Sequence, residues 1–290
     1  MDINNSETKR KFGVIGNPIS HSLSPYMQNA AFKHYNLDCS YERILIPSEK
    51  DLELFLLKAK RSYTGLNVTL PYKGSVIKYL DSIEESARLA SSVNVISIDS
   101  SGSLNGFSTD GYGMEMALRL NFNSEPQKEK YLFLGCGGAA NSCIVHLLCR
   151  GARDIAIANR TLSKADELIK HLHNTFPEAK LSAFSLYDIN SMKKLLKNNY
   201  LLIQSTSLGL KDEDELPLQE ELITYNLRIF DMIYKDTRFQ KYAREKGCRC
   251  IGGIDMLLYQ GTKAFEIWTG LKAPVEIMKK ALLEKRISIL

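Results

Sequence analysis

The glycine-rich segment at residues 131–140 constrains the fold of this chain more than any other stretch. An apolar run, Tyr131-Leu-Phe-Leu134, leads into Gly135-Cys-Gly-Gly-Ala-Ala140 and then into a helix-like segment. Strand, glycine turn and helix in this order are typical of the first unit of a dinucleotide-binding sheet, where backbone N–H groups approach a pyrophosphate. The small Ala140 suits the close contact between helix and strand. The pattern predicts a nucleotide site at Gly135, Gly137, Gly138 and Ala139.

The end of the next predicted strand, Asp154–Arg160, favours NADP over NAD as the cofactor. NAD-binding units commonly place an acidic residue there to hold the ribose 2′-hydroxyl, and this chain has none. It carries donor and basic side chains instead, at Asn159, Arg160, Thr161 and Lys164. A guanidinium and a hydroxyl can both donate to a 2′-phosphate, and an ammonium adds a point charge.

Length and composition predict a globular protein of two domains. At 290 residues the chain is long for a single core, and its 44% hydrophobic and 24% charged residues are ordinary for a folded protein. No run reaches the roughly 20 apolar residues that cross a bilayer. The polar start, Met1–Arg10, lacks the apolar segment of a signal peptide, so we expect a cytoplasmic protein.

Charge and cysteine content narrow the set of ligands. The net charge of +5 is spread along the chain without basic blocks, which argues against nucleic acid and suits an anionic cofactor with a small acidic substrate. The six cysteines have no zinc-like spacing, so we expect reduced thiols and no metal. A dithiol pair at Cys248 and Cys250 stays open, because alternation along a strand would place both thiols on one face.

Three segments follow from the order of the predicted elements. Residues 1–110 alternate strand-like and helix-like runs, which predicts an α/β substrate-binding domain with a parallel sheet. One of its helices is expected to begin with Ser24 as N-cap before Pro25. Residues 111–252 form the predicted Rossmann-type NADP-binding domain, and the helical residues 253–290 are expected to return to the first domain. We expect the ligands to meet in a cleft between the two domains.

Seven polar motifs follow one another along nearly the whole chain. They are Asn17-Pro-Ile-Ser-His-Ser22-Leu-Ser24-Pro25, Asn67-Val-Thr69-Leu-Pro-Tyr-Lys73, Val93-Asn94, Ser108-Thr-Asp110, Gly135-Cys-Gly-Gly-Ala139, Asn159-Arg-Thr161 and Met256-Leu-Leu-Tyr-Gln260-Gly261. In kind and order they resemble the shikimate dehydrogenase family. The resemblance implies an NADP-dependent oxidoreductase that interconverts 3-dehydroshikimate and shikimate on the route to chorismate and the aromatic amino acids.

Short polar side chains suit a small polyhydroxy acid, because each buried hydroxyl needs a partner. Ser22 and Ser24, two hydroxyl donors near a helix start, could hold a carboxylate. The resemblance implies that Thr69 adds a donor near that carboxylate. It also implies that four residues bind the ring hydroxyls: Asn67, Asn94, Asp110 and Gln260. Purely structural roles stay open at this point, as a helix cap, as turn-fixing amides or as a solvated glutamine.

Ketone reduction needs a proton donor beside the hydride carrier, and Lys73 and Asp110 are the candidates. Burial opposes the charge of Lys73 and a neighbouring carboxylate supports it. We predict that Lys73 relays the proton while Asp110 orients it and binds the adjacent hydroxyl. Lys73 alone or the coupled pair could be the acid–base group, and a surface lysine at a helix start is the structural alternative.

The resemblance adds residues on the cofactor side. Thr206 follows a predicted strand, and Met232 and Gly253 are expected against the nicotinamide. Tyr234 is expected to close the substrate side. Met232 could instead be a core methionine at a strand end.

The chain departs from the family pattern at three positions. Ser108 stands where the family usually carries asparagine, so the hydrogen bonding beside Asp110 must differ. Asp255 stands where a small residue is common, which demands a local partner for its charge or alters closure over the nicotinamide. Lys164 replaces the second arginine of the basic pair, which loosens phosphate binding without abolishing it.

Two other functions compete with this interpretation. The first is a quinate or dual quinate/shikimate dehydrogenase, often with NAD, against which Arg160 argues. The second is a non-catalytic shikimate-binding sensor of the same fold, against which the retention of Lys73 and Asp110 argues. The pattern allows a monomer or a homodimer.

Overall fold

A computed structural model describes residues 10–287 of the chain. Most of the polar start, residues 1–9, lies outside the described residues. The chain divides into two compact units, the first comprising residues up to Gly113 together with those from Leu257 onward, and the second Met114–Met256. None of the helices within residues 10–287 is long and apolar enough to cross a membrane.

The first unit is built on a six-stranded mixed sheet. Its strands are β1 (Arg10–Gly16), β2 (Cys39–Leu45), β3 (Gly65–Val68), β4 (Ser82–Ile83), β5 (Val95–Ile98) and β6 (Leu104–Phe107). Its helices are α1 (Ser24–His34), α2 (Glu49–Ser62), α3 (Glu85–Leu89), the start of α4 (Asp110–Phe122), most of α9 (Ile254–Thr269) and α10 (Val275–Ile287), with a 3₁₀ helix at Ser75–Tyr79.

The sheet of the first unit is not wholly parallel, so that prediction is wrong. The strand order is β2-β1-β3-β5-β6-β4, and β5 is antiparallel to both β3 and β6. The reversal between β5 and β6 is a hairpin whose turn contains Gly102 at φ +82°, a left-handed conformation that glycine adopts readily. The C-terminal helices belong to this unit, where α10 packs on α1.

Ser24 is not the N-cap of α1, contrary to the prediction. The N-cap is Leu23, which has helical dihedrals and makes no side-chain cap, and Ser24 is the first helical residue. Ser24 is buried, so its hydroxyl faces other residues of the same unit and not solvent. At α2, by contrast, Ser48 is an N-cap whose hydroxyl accepts a hydrogen bond from the Asp51 N–H.

The second unit is a parallel α/β sheet. Its strands are β7 (Lys130–Leu134), β8 (Asp154–Asn159), β9 (Lys180–Ser185), β10 (Leu201–Gln204), β11 (Arg228–Asp231) and β12 (Arg249–Gly252). Its helices are α5 (Gly138–Cys149), α6 (Leu162–His173), α7 (Ile189–Lys197) and α8 (Arg238–Glu245), with 3₁₀ helices at Pro126–Lys128 and Glu220–Leu222.

The strand order of the second sheet, β12-β11-β10-β7-β8-β9, confirms the predicted Rossmann-type architecture. The chain starts in the middle at β7, builds outward through β8 and β9, and then crosses to β10 on the other side. In sheets of this order a ligand binds outside the carboxyl ends of the strands where the winding reverses. The turn after β7 is at that position.

Candidate functional site

Asn94 is the centre of a buried polar cluster in the first unit. It lies just before β5 and is 3% exposed. Its amide nitrogen is 3.0 Å from Oδ1 of Asp110, 3.0 Å from Oγ1 of Thr109 and 3.3 Å from Oε1 of Gln260. Its Oδ1 accepts a hydrogen bond from the Thr109 N–H at 2.7 Å. One amide thus fixes residues from the β6–α4 turn and from α9.

Lys73 and Asp110 form a salt bridge at the edge of this cluster. Their side chains are only 13% and 7% exposed, so Lys73 is not a solvated surface residue. The Lys73 carbonyl accepts the N–H of Val93 at 2.9 Å, which ties the turn after β3 to the strand that follows Asn94. Asp110 is the first residue of α4, where the helix dipole favours a negative charge. An ammonium and a carboxylate shielded in this way can exchange a proton with a bound molecule.

Asn67 extends the cluster toward α1. Its Oδ1 accepts the Tyr41 hydroxyl at 2.7 Å and its amide nitrogen donates to the Asn94 carbonyl at 3.0 Å. The side chain of Ser24 lies beside the Tyr41 phenol. Burial raises the pKa of Tyr41 well above its ordinary value, and the contact with Ser24 opposes that rise. Polar contacts therefore run without a break from Ser24 through Tyr41 and Asn67 to Asn94.

The other two substrate candidates of this unit lie beside the cluster. The Ser22 hydroxyl accepts the N–H of Ser24 at 3.4 Å, and the Ser22 carbonyl accepts two hydrogen bonds from the Arg43 guanidinium, at 2.9 and 2.6 Å. Arg43 thereby holds the loop that precedes α1. Thr69 is half-buried in the turn after β3, and its N–H donates to the Ile15 carbonyl at 3.0 Å.

The glycine turn of the second unit has the geometry of a phosphate site. Gly135 has φ +97°, and Gly137 is the N-cap of α5 without any side-chain cap. A Cβ built on Gly137 would meet nothing within 4 Å, so the backbone there faces open space. Gly138 and Ala139 begin α5, and their N–H groups have no partner within the helix. A pyrophosphate fits such an uncapped helix start.

The predicted 2′-phosphate residues surround the start of α6. Asn159 ends β8, the parallel neighbour of β7, and its side-chain nitrogen donates to the Thr161 carbonyl at 2.8 Å. Thr161 is the N-cap of α6 without a side-chain cap hydrogen bond, and the side chains of Arg160 and Lys164 are exposed. The position therefore offers two cations and a hydroxyl to an anion.

Thr206 lies against the glycine turn. Its N–H and its hydroxyl both donate to Oε1 of Gln204, each at 2.9 Å. Its methyl carbon is 3.1 Å from the position of a Cβ built on Gly135. The loop after β10 and the turn after β7 are thus in direct contact.

Met232 and Gly253 are brought together at the ends of β11 and β12. The Gly253 N–H donates to the Ile233 carbonyl at 3.1 Å, and a Cβ on Gly253 would come within 2.1 Å of the Met232 carbonyl oxygen. Only glycine fits there. Met232 is half-buried and is not a core methionine. Tyr234, predicted on the substrate side, lies on the same loop of the second unit.

The departures at Ser108 and Asp255 have structural consequences. The Ser108 hydroxyl oxygen is buried without a hydrogen-bond partner among the described residues. Asp255, in the first turn of α9, accepts a hydrogen bond from the Asn121 side chain at 2.9 Å. The charge of Asp255 therefore has a local partner, Asn121 near the end of α4.

Thiols and acids outside the cluster form no metal centre within residues 10–287. Cys248 and Cys250 are both free and buried, so the strand does not carry a disulfide between them. Burial raises the pKa of Cys250 to about 12.

Several residues of these sites escape sequence analysis. Tyr41 is an aromatic residue in a strand, a pattern typical of core packing, and nothing in the sequence distinguishes its hydroxyl. The sequence does offer a signal for Thr109, which stands between Ser108 and Asp110 in one of the seven polar motifs. Arg43 acts through a backbone carbonyl, which no side-chain motif records.

Fold and sites together define a class of protein, a dinucleotide-dependent oxidoreductase with a Rossmann-type unit and an α/β unit that carries a shielded lysine–aspartate pair. Profiles of known families match three parts of the chain. The shikimate dehydrogenase substrate binding domain matches residues 14–96, the shikimate / quinate 5-dehydrogenase family residues 117–210, and the shikimate 5′-dehydrogenase C-terminal domain residues 253–283.

Individual relatives match nearly end to end. Shikimate dehydrogenase (NADP(+)) of Nitrosopumilus maritimus is 38% identical over 276 residues, covering 94% of this chain and 98% of that protein. The crystal structure of shikimate dehydrogenase from Aquifex aeolicus has a TM-score of 0.85 at 33% identity, covering 96% and 99% of the two chains. That of the Thermus thermophilus enzyme in complex with NADP(H) and shikimate has a TM-score of 0.80 at 31% identity, covering 95% and 99%. This chain belongs to the shikimate dehydrogenase family.

Proposed function

We propose that this protein is an NADP-dependent oxidoreductase that interconverts 3-dehydroshikimate and shikimate by hydride transfer, in the biosynthesis of chorismate and the aromatic amino acids. The observation that carries the proposal is the shielded pair of Lys73 and Asp110, joined through Asn94 to Gln260. A purely structural salt bridge does not need neighbouring side-chain amides that can hydrogen-bond to substrate hydroxyls. The family supplies the reaction class.

Lys73 and Asp110 act as the acid–base pair in this proposal. In the direction of reduction, the Lys73 ammonium donates its proton to the carbonyl oxygen as hydride reaches the carbon. In the direction of oxidation, Lys73 takes the proton back from the hydroxyl. Asp110 holds the ammonium in place and accepts the neighbouring substrate hydroxyl with its second oxygen.

The remaining polar residues bind and orient the substrate. Ser22, Ser24 and Thr69 donate to the carboxylate. Asn67, Asn94 and Gln260 bind the ring hydroxyls, and their mutual hydrogen bonds preorganise them for that task. Tyr234 closes the substrate side from the loop after β11.

The second unit fits NADP. When bound, the cofactor carries the hydride. The open, uncapped turn at Gly135, Gly137, Gly138 and Ala139 receives the pyrophosphate. Asn159, Arg160, Thr161 and Lys164 hold the adenine-side ribose and its 2′-phosphate, and Thr206, Met232 and Gly253 contact the nicotinamide half.

The proposal includes a cellular location and an oligomeric state. We place the protein in the cytoplasm, where thiols stay reduced, and the free thiols of Cys136, Cys248 and Cys250 support that location. The ligands are small molecules, and the protein functions as a monomer or a homodimer.

The test is a steady-state assay of the purified protein. NADP reduction, read by the absorbance of NADPH, is measured with shikimate, and the same assay is run with quinate and with NAD. The proposal predicts the highest kcat/KM for shikimate with NADP. A higher kcat/KM for quinate or NAD would make the protein a quinate or dual dehydrogenase, and shikimate binding without turnover would make it a sensor.

A further inference from the structure

The loop between β11 and α8, residues 232–237, is organised by a buried carboxylate. Asp231 is 0% exposed. Its Oδ1 accepts the Ile233 N–H at 3.0 Å, and its Oδ2 accepts the Thr237 hydroxyl and the Gln240 side-chain amide, both at 3.0 Å. Burial raises the pKa of Asp231 and the hydrogen bonds from its neutral partners oppose that rise. A buried carboxylate depends on such donors, because it has lost the water that would otherwise solvate it.

Gln240 closes the loop from the helix side. Its amide nitrogen lies 3.0 Å from Oδ2 of Asp231 and 3.0 Å from the carbonyl oxygens of both Ile233 and Lys235. Its backbone N–H donates to the hydroxyl of Thr237 at 3.1 Å, and Thr237 is the N-cap of α8. The side chain is 3% exposed. The two N–H bonds of this amide are therefore shared among a carboxylate oxygen and two loop carbonyls.

A pair of glycines holds the same loop from the opposite side. A Cβ on Gly252 would lie 2.9 Å from Oε1 of Gln240, and the Gly253 N–H donates to the Ile233 carbonyl. The loop is thus fixed between the Asp231–Gln240 pair and the end of β12. Met232 and Tyr234, both half-buried, lie on this loop.

We infer that Gln240, acting with Asp231, is a positioning residue that sets the loop bearing Met232 and Tyr234 in the geometry needed at the nicotinamide. The inference rests on the proposed function, because it takes these two side chains as ligand contacts. It deepens that function by assigning a positioning role to two residues that are not among the proposed ligand contacts. An amide is required at position 240, since an apolar side chain would leave two carbonyls and one carboxylate oxygen short of a donor.

Gln240→Met tests the role of the amide at nearly constant volume. We expect kcat/KM for shikimate oxidation to fall on the order of tenfold or more, because a displaced contact residue misaligns the reacting groups. The matched control is Tyr200→Phe in the same unit, which deletes a 2.5 Å hydrogen bond from a 4% exposed phenol to Asp154. The control should lower thermal stability and leave the kinetic constants unchanged. Wild-type kinetic constants in Gln240→Met would overturn the inference.

Gln240→Glu supplies a readout that a merely structural role would not move. Two carboxyl groups would then face each other and could share one proton at low pH, in place of the amide hydrogen bond. As the pH rises the second group ionises and repels Asp231, so kcat/KM relative to wild type should fall progressively. A pH profile parallel to that of the wild type would contradict the inference. If this variant does not fold, Gln240→Met decides the question.

Hydrogen–deuterium exchange on the ligand-free protein separates this inference from the proposed function. Gln240→Met should accelerate exchange in residues 232–237 while leaving residues 154–159 of β8 unchanged. Unaltered exchange in the loop would overturn the positioning role even if the wild type is active. A wild type that neither turns over nor binds shikimate would instead overturn the proposed function and, with it, the ligand-side role of the loop.

Discussion

The Asp110 carboxylate is held by three kinds of contact at once, an ion pair with Lys73, a hydrogen bond from Asn94 and the start of α4. Exposed ion pairs contribute about 0–1 kcal/mol and are screened by salt. This pair is largely shielded, so removing either partner leaves the other charge poorly solvated. Such an arrangement suits proton transfer better than it suits stability, because the geometry is fixed before a ligand arrives.

In the proposed function, Arg160 determines the preference for NADP over NAD. In Arg160→Asp, the lost guanidinium and the added carboxylate should raise KM for NADP by roughly 10- to 100-fold, as expected when a charge-assisted hydrogen bond of about 1.5–3 kcal/mol is lost. KM for NAD should change little or fall, because an acid can hold a ribose 2′-hydroxyl.

Lys193→Asp is the control for Arg160→Asp, since it makes the same charge change at an exposed position of α7 in the same unit. The control should retain wild-type values of KM for both cofactors. An unchanged ratio of NADP to NAD efficiency in Arg160→Asp would remove Arg160 from the site.

Functional side chains are easier to predict from this sequence than the contacts that they make. Lys73, Asp110, Asn94 and Gln260 are predicted from motifs, and the structure places them in one cluster. The cap role of Ser24 is wrong, because Ser24 is itself the first helical residue, and its side chain lies beside Tyr41 of β2. No local pattern could reveal that Tyr41 links Ser24 to Asn67.

Among the elements, the second sheet is the more predictable. Its inner strands are continuous apolar runs between turn signals, as expected for a parallel sheet covered on both faces. The edge strand β9, Lys180–Ser185, is missed because it is only half-buried and has no apolar run. The mixed first sheet is not predicted, because the antiparallel pairing of β5 with β3 depends on tertiary packing. The alternation of strands and helices along the sequence does not specify it.

Gly137 and Gly65 have different structural reasons for being glycine: the first faces open space at the proposed phosphate site, and the second packs against a buried ring. A Cβ on Gly137 meets nothing within 4 Å, whereas a Cβ on Gly65 would come within 2.3 Å of Nε1 in the Trp268 ring. Gly137→Ala should therefore keep wild-type thermal stability and raise KM for NADP. Gly65→Ala should lose about 1–3 kcal/mol of stability through overpacking.

Thermal unfolding and the KM for NADP, measured on both variants, check this pair. A destabilised Gly137→Ala would show that the turn is constrained by the protein itself. An unchanged KM for NADP in Gly137→Ala would mean that no phosphate approaches this turn.

The whole molecule distributes its candidate contacts over two units, each with its own sheet and core. The Asn94 cluster belongs to the first unit, whereas the glycine turn, the basic start of α6 and the Met232 loop belong to the second. A ligand stabilises what it binds by mass action, about 2.7 kcal/mol at a concentration of 100 Kd. Each ligand should therefore protect a different set of amides.

Hydrogen exchange with single ligands tests this division. NADP should slow exchange at residues 135–141 and 159–164, and shikimate should slow it at residues 67–73 and 94–98. Protection of residues 135–141 by shikimate alone, with no effect at 67–73, would contradict the assignment of the substrate to the first unit.

In the proposed function, Lys73, held by Asp110, transfers the proton during oxidation of shikimate. Its most direct test is shikimate-dependent NADP reduction by the wild type and Lys73→Ala side by side, with shikimate binding to each measured by calorimetry. We expect robust NADPH formation by the wild type and a loss in kcat of about 10²–10⁴-fold in the variant, the range typical of general acid–base catalysis. Near-normal turnover by Lys73→Ala with intact shikimate binding would contradict it.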